Sequence, residues 1–196
     1  MLRLSVFMAA SMLIACTPQQ SEGNSNPVVD TDQPFEISVD EVKVIRKQQQ
    51  IFQDNNLIQT DEYENRLLIT VSINNITELE LKKVWFELQL NSEVEPYIAS
   101  KILKFKSDKM DITSHEKALE ADLKDKPQDK PIVWAFSHEW NMTLTTEDDL
   151  DTYYGLSPEG LAEELKSITV KVTWKGGSQT ETIPLELSES DLKLLK

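Results

Sequence analysis

The feature that most constrains the fold is the alternation of apolar and polar residues in two neighbouring segments. Residues 67–73 read LLITVSI and residues 79–90 read LELKKVWFELQL. In these segments one face carries Leu67, Ile69, Val71 and Ile73, and another carries Val84, Phe86, Leu88 and Leu90. A period of two residues places alternate side chains on opposite faces of a strand. The pattern therefore predicts two half-buried β-strands separated by a break at 74–77.

Shorter alternating runs predict further strands. Residues 35–39 and 42–44 alternate on either side of a bulge or bend at 40–41, and the runs 98–105 and 132–144 are additional candidates. The pattern is clearest near the end, where 168–174 and 180–187 flank Gly176 and Gly177. Because glycine adopts the positive φ angles that tight turns require, this region is predicted to be a β-hairpin.

Helical signals are few. Ser157 followed by Pro158 is typical of a helix start, and it predicts a short helix that carries Leu161 and Leu165 on one face and ends near residue 167. Residues 113–124 are a second helix candidate, and the charged, proline-containing stretch 124–131 is predicted to be an exposed loop. Many short strands with one or two short helices favour a mainly β fold, an antiparallel sandwich.

The chain divides by composition. Residues 17–34 are rich in Pro, Ser, Asn, Gln and Asp, so 16–34 is predicted to be a flexible tether that cannot bury a core. One β-sandwich domain is expected over 35–188, followed by a polar tail over 189–196.

The first residues have the marks of a secretory signal. Arg3 precedes an apolar run over 4–15, which is too short to cross a bilayer as a helix. The only cysteine follows immediately, and Leu13-Ile14-Ala15-Cys16 resembles the lipobox of bacterial lipoproteins. The resemblance implies that 1–15 is a signal peptide cleaved after Ala15 and that the Cys16 thiol carries a diacylglyceryl group. It also implies a protein anchored to the cell membrane by lipid, on the extracytoplasmic face.

A second resemblance concerns the fold. The stretch LLITVSINNITELELKKVWFELQL is similar to the central strand-turn-strand of immunoglobulin-like extracytoplasmic modules in bacterial lipoproteins. It implies an immunoglobulin-like sandwich. Together with the anchor, the tether and the absence of catalytic motifs, the β pattern favours a non-enzymatic binding or interaction module. The expected partner is an envelope protein, peptide or polymer.

The net charge of the chain limits the classes of molecule that it is expected to bind. The chain has 20 Lys and Arg against 34 Asp and Glu, a formal net charge of -14. Phosphate backbones require a cationic face, so the composition argues against nucleic-acid binding. The sequence contains no phosphate-binding loop, no nucleophile-elbow and no zinc-protease motif, and no cofactor is expected.

Aromatic residues concentrate in the later part of the chain, where Trp134, His138, Trp140 and Tyr153 are the candidates for ligand binding. Aromatic rings suit carbohydrate stacking, peptide capture or a protein interface. Alternation places the first three on one face of a strand, a pattern that is more common in a protein core than in a ligand site. Both interpretations remain open from the sequence.

The run 147–151 supplies the only metal-ligand candidates, Asp148, Asp149 and Asp151. Calcium favours carboxylate-rich loops, although the spacing does not match an EF-hand, and a solvated acidic loop or helix start accounts for the same residues. Two alternative functions follow: a hydrolase that uses His138 with one of these acids, and a calcium-responsive sensor.

Overall fold

The computed structural model describes residues 33–53, 56–114, 116–117 and 134–195. Cys16, Ala15, the signal segment and the tether up to residue 32 lie outside the described residues, as do His115 and most of the candidate helix and loop between 113 and 131. Within the described part of the chain, no helix has the length and apolar character needed to cross a membrane.

Strands make up most of the described chain. In chain order they are β1 (Phe35–Gln53), β2 (Asn56–Asn75), β3 (Leu81–Leu90), β4 (Lys104–Lys106), β5 (Met110–Ile112), β6 (Ala135–Thr143), β7 (Ser167–Trp174) and β8 (Gly177–Pro184). The helices are short: a 310 helix (Ser92–Tyr97), α1 (Glu147–Tyr154), α2 (Gly160–Glu164) and α3 (Glu189–Leu194). The mainly β class with a few short helices, as predicted from the alternation, is confirmed.

The strands form two antiparallel sheets. One has the order β1-β2-β6, and the other has the order β4-β3-β7-β8, with β5 pairing with β3 beside β4. The chain crosses from the first sheet to the second after β2, returns with β6 and ends in the second sheet with the β7–β8 hairpin. This arrangement is a β-sandwich, in which two sheets pack face to face over one apolar core.

The core consists of the strand faces that the alternation of apolar and polar residues predicts to be buried. The alternating apolar residues at 67, 69, 71 and 73 of β2, and at 84, 86, 88 and 90 of β3, are each at most 2% exposed. On β7, alternate residues Ile168, Val170 and Val172 are fully buried. Complete burial of one aliphatic side chain contributes about 1.5–3 kcal/mol, so these three strands supply much of the hydrophobic stabilisation.

Several local predictions are confirmed. The β1–β2 register shifts between Val39 and Glu41, as expected for a bulge at 40–41. At the other hairpin, Trp174 pairs with Gly177 around a two-residue turn in which Gly176 has a φ of 124°. An added Cβ at Gly177 would lie 2.7 Å from the Trp174 ring, so this position also requires glycine.

The break after β2 is built around Asn75. Its buried side-chain amide donates to the carbonyls of Leu79 and Thr113, both at 2.9 Å. Its side-chain oxygen accepts from the backbone N–H and the hydroxyl of Thr77, at 3.0 and 2.8 Å. The chain crosses between the sheets here, and its backbone groups no longer have partners in a neighbouring strand. The Asn75 side chain supplies hydrogen-bond partners to several of them instead.

Two sequence predictions are wrong over part of their length. The run 98–105 is a strand only at its end, because the chain turns at 99–101: the Lys101 N–H donates to the Ile98 carbonyl at 3.0 Å, and Lys101 adopts a left-handed φ of 57°. The helix predicted from Ser157 starts later, at Gly160, and both Leu161 and Leu165 are buried.

Within the segment predicted as a polar tail, residues 189–194 form α3, which packs beside β1. Ser188 and Asp191 form a capping box at its start, and Leu195 is buried in the core. One Asp191 oxygen accepts the Val44 backbone N–H at 2.7 Å, and the other accepts the Ser188 backbone N–H at 2.9 Å. The buried carboxylate therefore satisfies a backbone donor on the outer edge of β1.

We expect Asp191→Ala to destabilise the protein by about 2–3 kcal/mol, since it leaves the buried Val44 N–H without a partner and removes the helix cap. Burial raises the pKa of Asp191, but hydrogen bonds from Ser188 and Val44, together with the charge of Lys43, outweigh it and lower the pKa overall. The stabilisation is therefore present above the unfolded pKa of about 4 and is lost as the pH falls through the folded pKa.

Denaturant unfolding at pH 7 and at pH 3 measures both effects. The matched control is Lys193→Ala, an exposed substitution on the same helix, which should leave stability within about 0.5 kcal/mol of the parent. Equal losses for the two variants, or a loss for Asp191→Ala that does not shrink at pH 3, would contradict the role of the carboxylate.

Candidate functional site

A cleft lies where the β1–β2 hairpin extends past the rest of its sheet. β6 ends at Thr143, opposite Arg66, whereas β2 continues beyond that point paired only with β1. Arg46 pairs with Asn65, and Gln48 pairs with Tyr63, in the same alternation as the buried pair Val44 and Leu67. The core-facing side of the hairpin thus continues past the sandwich as a free face, which we call the ribbon face and define by Arg46, Tyr63 and Asn65.

The opposite wall is helical. Thr146 caps α1 by accepting a hydrogen bond from the Asp149 backbone N–H at 3.3 Å. Gly155 ends the helix with a φ of 63°, a conformation that favours glycine. Leu150 is buried in the core, which leaves Tyr153 and Tyr154 exposed at the end of the helix. The 310 helix contributes Tyr97, whose buried hydroxyl packs so closely on Gly160 that no side chain fits there.

Three tyrosine rings are exposed at this cleft. Tyr63, Tyr153 and Tyr154 have relative exposures of 54%, 72% and 45%. The guanidinium carbon of Arg46 lies 5.2 Å from the Tyr63 ring centroid, and the ammonium of Lys101 lies 4.5 Å from that of Tyr154. Such cation–π contacts restrain the two basic side chains on the cleft walls. The Tyr153 ring is not contacted by either of these cations, and it is the most exposed of the three.

The size and chemistry of the cleft suit a ligand. It encloses about 570 Å³, within the range of small-molecule sites. Its walls combine the tyrosine rings with apolar groups from Leu161, Leu194 and Leu195, and with the carboxylates of Glu147 and Asp149 at the start of α1. We call this region the tyrosine cleft.

Most of the aromatic candidates from the sequence lie elsewhere, in the sandwich. The His138 ring stacks on Phe105 with 4.0 Å between centroids, and Trp140 is buried with its ring centroid 6.5 Å from that of Phe105. Trp134 is half-buried before β6, and its carbonyl accepts the Asn75 backbone N–H at 3.0 Å. Of the four candidates, only Tyr153 lines the tyrosine cleft.

Burial determines the charge state of His138. It lowers the pKa of the imidazole below its usual value, and the smaller opposing effect of Glu139 does not compensate. The ring is therefore neutral at pH 7 and packs as an aromatic side chain, with the Phe86 ring at 5.6 Å. His138 pairs with Val71 in the middle of the first sheet, whereas the acids of 147–151 belong to α1, beyond the end of β6.

The acidic residues lie on α1. Asp148 and Asp149 are in its first turn with Glu147, where carboxylates interact favourably with the helix dipole, and Asp151 follows one turn into the helix. The described residues contain no group of three or more potential ligand side chains that could hold a metal ion.

Sequence reasoning missed most of the cleft. The Thr146 cap, the acids that follow it and Gly155 together are a signal for α1 that was available in the sequence. No local signal links Tyr63 to Tyr154, because 91 positions separate them and only the fold brings them to one cleft.

No protein-family model matches this chain, and no curated protein has a sequence similar enough to count as a match. Its function must therefore be argued from its own residues.

We expect His138→Phe to remove a pH dependence of stability. Because the folded pKa of His138 lies below the unfolded value of about 6.5, stability from the neutral ring is present above that value and is lost as the pH falls through the folded pKa. A phenylalanine keeps the stack on Phe105 without titrating. The difference in unfolding free energy between the variant and the parent should therefore grow as the pH is lowered from 7.5 to below 6.5.

Urea unfolding across this pH range tests the expectation, with His115→Gln as a control for the other histidine. A constant difference between His138→Phe and the parent would show that His138 titrates alike in the folded and unfolded chains.

Proposed function

We propose that this protein is a bacterial lipoprotein, attached to the cell membrane through lipid on Cys16, whose sandwich is a non-enzymatic binding module on the extracytoplasmic face. The observation that carries the binding role is the tyrosine cleft, in which three exposed rings face a space of about 570 Å³. The lipobox sequence Leu13-Ile14-Ala15-Cys16 supports the anchor.

The position of the cleft supports a module whose binding site faces away from the proposed membrane anchor. β1 begins at Phe35, next to the proposed tether, and reaches the cleft at Arg46. Eleven residues of strand span about 36 Å, so the cleft is at the opposite end of the sandwich from the tether. A tether of this length adds a root-mean-square reach of about 24 Å.

We also infer that the sandwich is immunoglobulin-like. The order of the strands supports this inference: the first two strands share a sheet, the third lies in the other sheet, β6 returns to the first, and the last two lie together in the second. Immunoglobulin domains likewise place strands A, B and E in one sheet and C, F and G in the other, although their strand D lies in the first sheet and β4 and β5 here lie in the second. Such modules bind through loops and sheet edges, so an envelope protein, peptide or polymer is the expected partner.

A binding role fits the residues better than catalysis. The histidine that a hydrolase would use is neutral, stacks on the Phe105 ring with the Phe86 ring tilted beside it, and does not line the tyrosine cleft. A general base must reach the proton that it abstracts, and His138 packs within the sandwich instead.

We expect Cys16→Ser to abolish incorporation of a labelled fatty acid and to release the protein from the membrane fraction or leave it with an uncleaved signal peptide. The thioether that holds the diacylglyceryl group requires the cysteine sulfur. Ser21→Ala, a change within the tether, is the matched control and should remain labelled. Unchanged labelling of Cys16→Ser would rule out the lipoprotein assignment.

A photocrosslinking amino acid at position 153 tests the binding role in intact cells. We expect a specific crosslinked product from position 153 and none from position 182, which lies on the second sheet. Since both positions are exposed, the comparison separates contact at the cleft from random collision. Equal products from the two positions, or none from position 153, would contradict a ligand site at the cleft.

A further inference from the structure

The charges on the tyrosine cleft are balanced, although the whole chain is strongly acidic. Arg46 and Lys101 on its walls offset Glu147 and Asp149, and the remaining acid, Glu64, is paired with Arg66. The formal net charge of the chain is -14, so its overall field repels anionic ligands. A simple cation is not favoured either, because two basic side chains are restrained at the cleft.

The same residues provide both kinds of hydrogen-bonding group. The basic side chains only donate, whereas Glu147 and Asp149, when ionised, only accept. The amide of Asn65 donates to the carbonyl of Leu194 at 2.9 Å, which holds its side chain at the cleft. A hydroxyl group both donates and accepts, so a ligand with many hydroxyls can use the two sets together.

Tyr153 supplies an aromatic surface for the same ligand. Its ring is 72% exposed at the end of α1. A tyrosine ring buries an apolar face while its hydroxyl keeps a polar contact. The C–H groups on one side of a sugar ring form an apolar patch that can cover such a face, with the sugar hydroxyls at its rim.

The orientation of the hairpin argues against an added peptide strand. A peptide that extends a sheet pairs with the N–H and C=O groups along a strand edge. The tyrosine cleft instead presents the ribbon face, since Arg46, Tyr63 and Asn65 continue the side of β1 and β2 that points into the core. A ligand in the cleft therefore meets side chains and not a strand edge.

We infer that the tyrosine cleft binds an uncharged glycan segment of a few sugar units, stacked on Tyr153 and hydrogen-bonded between the basic side chains and the acids of α1. This inference rests on the proposed binding role and names its ligand class. The chemistry is shared by free oligosaccharides and by neutral stretches of an envelope polysaccharide.

The test uses the full-length protein in a detergent without a sugar headgroup, titrated with chitotetraose, maltotetraose and mannotetraose and followed by calorimetry. We expect at least one tetrasaccharide to bind. Tyr153→Ala should weaken that binding about ten-fold or more, whereas Tyr153→Phe, which keeps the ring, should stay within about three-fold of the parent. Thr152→Ala, an exposed change on the same helix, is the matched control and should bind like the parent.

Three further probes cover the competing ligand classes: inorganic phosphate, Ca²⁺ and tetraproline. Binding of a tetrasaccharide that Tyr153→Ala weakens would support the inference, and a polysaccharide of the same sugar would then show whether long chains bind as well. No tetrasaccharide binding, unchanged binding by Tyr153→Ala, or tighter binding of phosphate, Ca²⁺ or tetraproline would overturn it.

Failure of the glycan inference is distinguishable from failure of the proposed function. If no sugar binds but position 153 still gives a specific crosslink in cells, the binding role stands and the ligand class is wrong. If neither is observed, both the ligand class and the role of the cleft are rejected.

Discussion

The burial of one face of β2 and one face of β3 in a single apolar core is the constraint on which the rest of the structure depends. These consecutive strands lie in different sheets, so burying their apolar faces fixes the sandwich. A shift of either strand by one residue would turn its whole apolar face to water, which makes the register hard to change. Asn75 secures the crossing between them, and Gln179 joins the sheets at the same end by bonding both backbone groups of Phe35, at 3.1 and 2.7 Å.

Much of this fold could be predicted from the sequence, because strand alternation depends only on which side chains are buried. The core strands and the glycine turn follow from that pattern. The far half of the β1–β2 hairpin could not be predicted, since beyond Arg46 and Asn65 neither face is buried and the alternation disappears. The helix after Ser188 was predictable from its capping residues, but its polar composition suggested a tail.

The site was much less predictable, for a physical reason. Buried residues of a strand recur at every second position of the sequence. The residues of a cleft stay exposed and come from separate elements, so they show no regular spacing. Tyr153 could be identified as a candidate because it lies in an aromatic-rich stretch, but the same criterion selected His138 and Trp140, which pack in the sandwich. Tyr63 and Arg46 join the cleft only because β6 ends opposite Arg66, so that the first ten residues of β2 extend beyond it.

The end of α3 has a practical consequence. Leu194 and Leu195 line the tyrosine cleft, and the carbonyl of Leu194 accepts the side-chain amide of Asn65. The described chain thus starts at one end of the sandwich and finishes beside the cleft at the other. An affinity tag or fluorescent protein inserted directly after Leu195 would emerge next to the cleft and compete with whatever occupies it. Immobilisation through the amino-terminal side would leave the cleft accessible to ligand.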